Sequence, residues 1–187
     1  MSLKDLEEFL SDENQTEEST IDWKQEKKMW LSSINKLYSD VSTWLEPLKT
    51  NPNFKITMDT IVLNEEEVGD YEVQRMIFEL KSQRAFLQPI GTMIIAAKGR
   101  IDLIGANGTV KLILVDKQLT KPKVTANIYT EKEFAKYLEK AQGKDPAKEP
   151  RKPEYEWKIM TQPPNVQYIS LNEETFSDAL LRVIRNG

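Results

Sequence analysis

The chain has 187 residues, with 26 basic and 30 acidic side chains, a net charge of −4, seven glycines and neither cysteine nor histidine. That length suffices for one domain able to bury roughly 70% of its unfolded surface without a covalent staple. The composition excludes disulfides, thiolate metal sites, cysteine nucleophiles, the Ser-His-Asp triad, zincin motifs and histidine proton shuttles, so any catalysis would rest on carboxylates, Lys, Arg, Tyr or Ser.

Residues 1–20 carry one lysine against seven acids, a net of −6, and the stretch from Ser11 to Thr20 has no apolar residue to anchor it. An acidic tail is expected there, whose removal leaves thermal stability nearly unchanged; Leu3, Leu6, Phe9 and Leu10 are spaced to dock on a partner or on the chain itself. The acidic start is unlike a basic signal peptide and no apolar run reaches membrane-spanning length. The expected location is the cytoplasm, and no membrane partner is expected.

Asp22 reads as an N-cap, with Gln25 at the capping-box position. Trp23, Trp30, Ile34, Leu37, Val41, Trp44, Leu45 and Leu48 follow in steps of three, four and seven, which predicts a long helix over 22–46 with one apolar face, stopped by Pro47. Its three tryptophans read as core against a sheet rather than a ligand cage.

From Phe54 to Lys117 the period changes to two. Strands are expected at 54–63, 71–80, 84–91, 92–106 and 108–117, joined by short connections such as Lys81–Gln83 and Gln88–Gly91 that imply an antiparallel meander. The run Glu65–Glu67 with Asp70 lacks the spaced ligands and glycine turn of a calcium loop and reads as solvated. Asn107-Gly108 signals a type I′ hairpin. A turn centred there sets Ala106 against Thr109, Ile104 against Lys111, Asp102 against Ile113 and Arg100 against Val115. One face then holds Ile101, Leu103, Gly105, Val110, Leu112 and Leu114 for the core. The other mixes Lys98, Arg100, Asp102 and Lys111 with Ile104, Ile113 and Val115, so a second layer, such as one of the helices, is expected over Ile113 and Val115. Arg100 and Asp102, two residues apart on that face, read first as a structural ion pair and second as a ligand or partner site, because charge in such a place is paired or used.

Residues 131–143 form an amphipathic pattern with Phe134, Tyr137, Leu138 and Ala141 inward, predicting a helix near 131–142 ended by Gly143. Three prolines within 144–153 predict an extended, mobile Pro/Lys-rich loop over 143–154. Residues 155–160 read as one further strand. Asn172 caps a last helix over 172–185, with Glu173 and Glu174 early, Arg182 and Arg185 late, and Phe176, Leu180, Val183 and Ile184 inward.

The fold expected is α+β: an antiparallel β-meander of about five or six strands packed against a long N-terminal helix and a C-terminal helix, one domain over 21–187. The candidate binding residues are Lys98, Arg100, Asp102, Lys111 and Trp157. No catalytic set, metal site or cofactor is expected, since GxGxxG and P-loop motifs are absent. Asp102 with Val115-Asp116-Lys117 resembles the hairpin of PD-(D/E)xK nucleases only superficially. Val115 stands where that motif needs an acid, Asp116 faces away from Asp102, and Lys117 lies about 13 Å along the strand at roughly 3.3 Å per residue. The leading function is a non-catalytic interaction or regulatory protein acting through a protein partner or self-association. One alternative is a nucleic-acid binder using the basic hairpin 98–123, with Lys144, Lys148, Arg151 and Lys152 extending the stripe and Tyr155 or Trp157 stacking. The acidic isoelectric point, about 5.2, weighs against it. The other is an unconventional carboxylate-dependent hydrolase or nuclease.

Overall fold

A computed structural model describes residues 22–92, 97–122 and 153–185. The acidic segment 1–20, the helix expected over 131–142 and nearly all of the loop expected over 143–154 lie outside those residues.

Helix α1 spans Trp23–Trp44. The Asp22 carboxylate accepts the Lys24 and Gln25 backbone N–H groups at 3.1 Å each, satisfying donors the first turn cannot. Trp30, Ile34, Leu37, Tyr38 and Val41 form the buried stripe. The α-helix stops two residues before Glu46, and Pro47 sits inside a single 3₁₀ turn over Glu46–Leu48.

Seven strands follow in one antiparallel sheet whose spatial order is the chain order: β1 Phe54–Glu65, β2 Gly69–Leu80, β3 Gln83–Gly91, β4 Arg100–Gly105, β5 Gly108–Asp116, β6 Tyr155–Met160 and β7 Tyr168–Ser170. The meander is therefore longer than the five or six strands expected. The addition is β7, three residues long and too short to show an alternation; the Tyr168 N–H bonds the Thr120 carbonyl at 2.8 Å. Gln88–Gly91 is not a connection but the end of β3, where Pro89 faces Ile101 of β4 beside a register irregularity. An irregularity of that kind is where a strand tolerates a proline.

Helix α2 covers Glu173–Ile184. Asn172 accepts the Thr175 N–H through its side chain, and the Thr175 hydroxyl accepts the Asn172 N–H, both at 2.9 Å. Both helices contribute to the same core, with Phe176, Ala179, Leu180 and Val183 of α2 joining Trp30, Ile34, Leu37 and Val41 of α1 over Ile101, Leu103, Leu112 and Leu114 of the sheet.

The β4–β5 hairpin departs from its expected register. Gly105 pairs with Gly108, so Ala106 and Asn107 make the turn, Ile104 faces Thr109, Asp102 faces Lys111 and Arg100 faces Ile113. The cause is α2. A Cβ on Gly105 would lie 2.3 Å from the Val183 carbonyl oxygen, and the Asn107 N–H donates to that same oxygen at 2.8 Å. Gly105 is held in the strand beneath the helix end, and Gly108 rather than Asn107 takes the positive φ, at 140°. The slip is two residues along one strand, so every side chain keeps its expected face.

Two further features reshape the sheet. On β2 the buried positions change phase, from Phe78 and Met76 to Val73 and Tyr71, while the β1–β2 register runs unbroken. β3 pairs with β2 only over Met76–Leu80. Beyond that the ribbon has two strands, where twist is greatest, and it turns the other set of side chains toward α1. The opposite face of β5 is covered, among the described residues, by strand ends and connections rather than by α1 or the C-terminal helix: Ile113, Val115 and Tyr168 are buried under Leu119, Met160, Val166 and Ala97. The two described helices are committed to the main core, so among the described residues the second layer is made of strand ends and connections.

Candidate functional site

The expected site residues do not converge. Arg100 Nε and Nη2 bond Asp102 Oδ1 and Oδ2 at 2.7 and 2.6 Å, a fork-to-fork pair with the carboxylate buried. Both acceptor oxygens are thus occupied by one guanidinium. Lys111 faces Asp102 across the strands and has no ion pair among the described residues. Lys98 leaves this face altogether: its Nζ lies 3.0 and 3.1 Å from the Glu26 carboxylate oxygens of α1. Trp157 is part of the core, its indole N–H donating to the Ser33 carbonyl at 3.0 Å and its ring 5.9 Å from that of Trp30. Arg100 and Asp102 come together; Lys98 and Trp157 lie on the helix side, and no basic stripe joins Lys98, Arg100 and Lys111.

Asp102 stands in a row that crosses five strands: Asp59 faces Arg75, Arg75 reaches Gln88 just beyond the last β2–β3 pair, Gln88 faces Asp102 and Asp102 faces Lys111. Arg75 grips the Asp59 carboxylate with Nε and Nη2, donates from Nη1 to the Gln88 side chain at 3.2 Å and lies over the Phe86 ring at 5.1 Å. The Arg75 hydrogen bonds hold the Asp59 carboxyl below its ordinary range and raise Arg75 in turn. Asp59, Arg75 and Gln88 thus form a satisfied cross-strand group, useful for register and solubility.

Sequence reasoning missed two buried charges. Glu65, expected in a solvated loop, ends β1 as one of the buried carboxylates. It accepts from the Tyr71 hydroxyl and, at 2.7 Å each, from the Thr92 N–H and hydroxyl. Burial, followed by the adjacent Glu65, raises the Tyr71 hydroxyl well above its usual value. Lys158 is 3% exposed; its ammonium bonds the Lys117 and Leu119 carbonyls at 2.7 and 2.8 Å and pairs with Glu156 at 3.2 Å. Nothing in an acidic triplet or a strand lysine signals burial, because the phase change of the β1–β2 ribbon and the second layer over β5 create those sites. A cleft of about 200 Å³ runs between α1 and β6–β7, bordered by Asp40, Trp44 and Tyr155. It falls below the roughly 300–1,000 Å³ of small-molecule sites. Among the described residues no group of three or more acidic side chains is arranged to hold a metal ion, and no helix is long and apolar enough to cross a membrane.

One edge of the sheet has no strand beside it among the described residues. β1 is a twelve-residue edge strand. At its base the Lys81 N–H donates to the Asn53 carbonyl at 2.8 Å. Antiparallel strands alternate between bonded and outward-facing residues, so the odd-numbered residues of β1 bond β2. The N–H and C=O groups of Ile56, Met58, Thr60, Val62 and Asn64 face outward. Among the described residues no strand pairs with that side. Met58 and Val62 share it, with 46% and 65% of their surfaces exposed. No family model, curated protein or solved structure matches the chain.

Proposed function

We propose that the protein is a non-catalytic interaction or regulatory protein of the cytoplasm that works through a protein partner, with the outward edge of β1 as the binding element. The observation that carries this reading is the row of backbone donors and acceptors along β1, Met58 and Val62 among them, that no strand pairs with among the described residues. Such an edge accepts an added strand: main-chain bonds supply affinity and alternate side chains supply selectivity. Natural proteins usually shorten, charge or cover edges of this length; of the charges in this one, Asp59 is engaged by Arg75, Glu65 is buried at its end and Lys55 stands exposed at its base.

The polar side chains sit less well with catalysis or polyanion binding. Arg100, Asp102, Arg75, Asp59, Lys98 and Lys158 are each held by a partner within the fold. A photo-cross-linking amino acid at Val62 of the full chain, expressed in its own host and analysed by mass spectrometry, tests the reading. A discrete protein adduct at position 62, absent when the same group is placed at exposed Glu174 on α2, is expected. No adduct at 62 overturns it.

A further inference from the structure

We infer that the occupant of the β1 edge is a second copy of this chain, paired antiparallel with it about a two-fold axis at Thr60, so that two seven-stranded sheets become one continuous sheet. The inference rests on the reading above and names its partner.

Three observations carry it. First, the outward-facing residues of β1 are the even-numbered ones, as the Lys81–Asn53 bond sets the phase. An axis through Thr60 pairs even with even, so Thr60 meets Thr60 and each copy's outward N–H groups meet carbonyls of the other. Second, this register sets Met58 of one copy opposite Val62 of the other, twice. These are the two exposed large apolar side chains of β1. An axis one residue away, at Asp59, would instead set Met58 against Thr60 and Val62 against the partly buried Ile56, leaving exposed Met58 without an apolar partner. Third, the hairpin is charge-polarised along its length. Exposed Lys55 stands at its base, and exposed Glu66 and Glu67 form its tip. Antiparallel pairing carries the tip of each copy alongside the base of the other, so the charges are complementary at both ends. A parallel arrangement would bring like charges together, which is unfavourable between neighbouring strands.

The edge is also built to accept the contact without refolding. The strand is already extended and hydrogen-bonded on its β2 side across the full twelve-residue register. Thr60 is tied to β2 by the Gln74 side-chain amide at 2.8 Å, which presets its side chain on the face it shares with Met58 and Val62.

Sedimentation equilibrium of the full chain, from low-micromolar to near-millimolar concentration, tests the inference at low and high salt. A monomer–dimer equilibrium that weakens with salt is expected. Val62→Lys places a cation opposite Met58 of the second copy at two symmetric positions and is expected to weaken the dimer about tenfold or more. Thr60→Pro removes an outward N–H at the axis and is expected to do the same; if it disturbs the fold by circular dichroism, Val62→Lys decides alone. Because the chain has no cysteine, Thr60→Cys should give a disulfide dimer under mild oxidation, since paired strands bring these Cα atoms to roughly 5.5 Å. Asn64→Cys, set opposite Ile56, should not. A monomer at every concentration overturns the inference, as does a dimer indifferent to Val62→Lys or one that cross-links equally through Asn64→Cys. An adduct at position 62 with a different protein, combined with a monomer in sedimentation, removes the second copy while leaving the proposed function standing.

Discussion

At the scale of single residues, the charges near the sheet centre are positioned by register and then satisfied locally. Asp102 is 6% exposed and its guanidinium partner about a quarter exposed, at 27%. Arg100→Ala strands the more deeply buried member and should cost about 1–3 kcal/mol; Asp102→Ala should cost less, and the double substitution less than Arg100→Ala. Chemical denaturation of the four proteins in a double-mutant cycle measures this, and additive effects would show that the pair is not coupled. Asp59 gives a pH signature. Its folded value is depressed by the Arg75 hydrogen bonds, so its stabilisation is complete above the ordinary carboxylate range and fades as the pH falls through the folded value. Asp59→Asn should therefore flatten the acid limb of a plot of Tm against pH. The effect should be modest, since the Asp59 side chain is 40% exposed and screened by water. An unchanged acid limb would assign the acid sensitivity to other carboxylates.

At the scale of elements, two contacts decide how the layers meet. Gly105 lets the β4–β5 turn tuck beneath the end of α2, with the Val183 carbonyl bonded to the Asn107 N–H. Gly105→Ala drives a methyl into that backbone oxygen and should cost roughly 1–3 kcal/mol, a fall in Tm of roughly 3–10 °C. A variant as stable as the parent would mean that α2 can shift without penalty. Lys158 performs the corresponding task on the other face by holding the Lys117 and Leu119 carbonyls. Lys158→Met removes both donors while keeping most of the volume. Hydrogen exchange should then accelerate across residues 117–122 and around Tyr168, while the buried stripe of α1 keeps its protection. Uniform acceleration over the chain would instead make Lys158 a determinant of global stability. These elements also mark what was legible. The caps at Asp22 and Asn172, the apolar stripe of α1 and the faces of β4 and β5 follow from local periodicity. The hairpin register and β7 do not. The first is chosen by a helix that arrives about 70 residues later in the chain, and the second is too short to carry a pattern.

At the scale of the whole molecule, the charge distribution argues against polyanion partners. The chain is acidic overall, at −4. Its basic side chains near the hairpin are divided between the helix side, where Lys98 holds Glu26, and the opposite face, where Arg100 holds Asp102. Titration of fluorescent single- and double-stranded oligonucleotides at two salt concentrations should show no specific binding at physiological salt. Micromolar or tighter binding that falls steeply with salt, and is lost on changing Lys98, Arg100 and Lys111 to Glu, would favour the nucleic-acid reading.

The sequence by itself determined the α+β class, the caps of the two described helices, the antiparallel order of the meander and the inward faces of β4 and β5. Each of these depends on a period of 2 or 3.6 and on caps or turns within a few residues. The tertiary structure alone decided that both helices share one face, that Glu65 and Lys158 are buried, and that Trp157 belongs to the core. It also decided that one long strand edge is left unpaired among the described residues. Those outcomes arise because segments distant in sequence compete for the same apolar surface. Which segment covers which strand is set by close packing between them, a property that no local window contains.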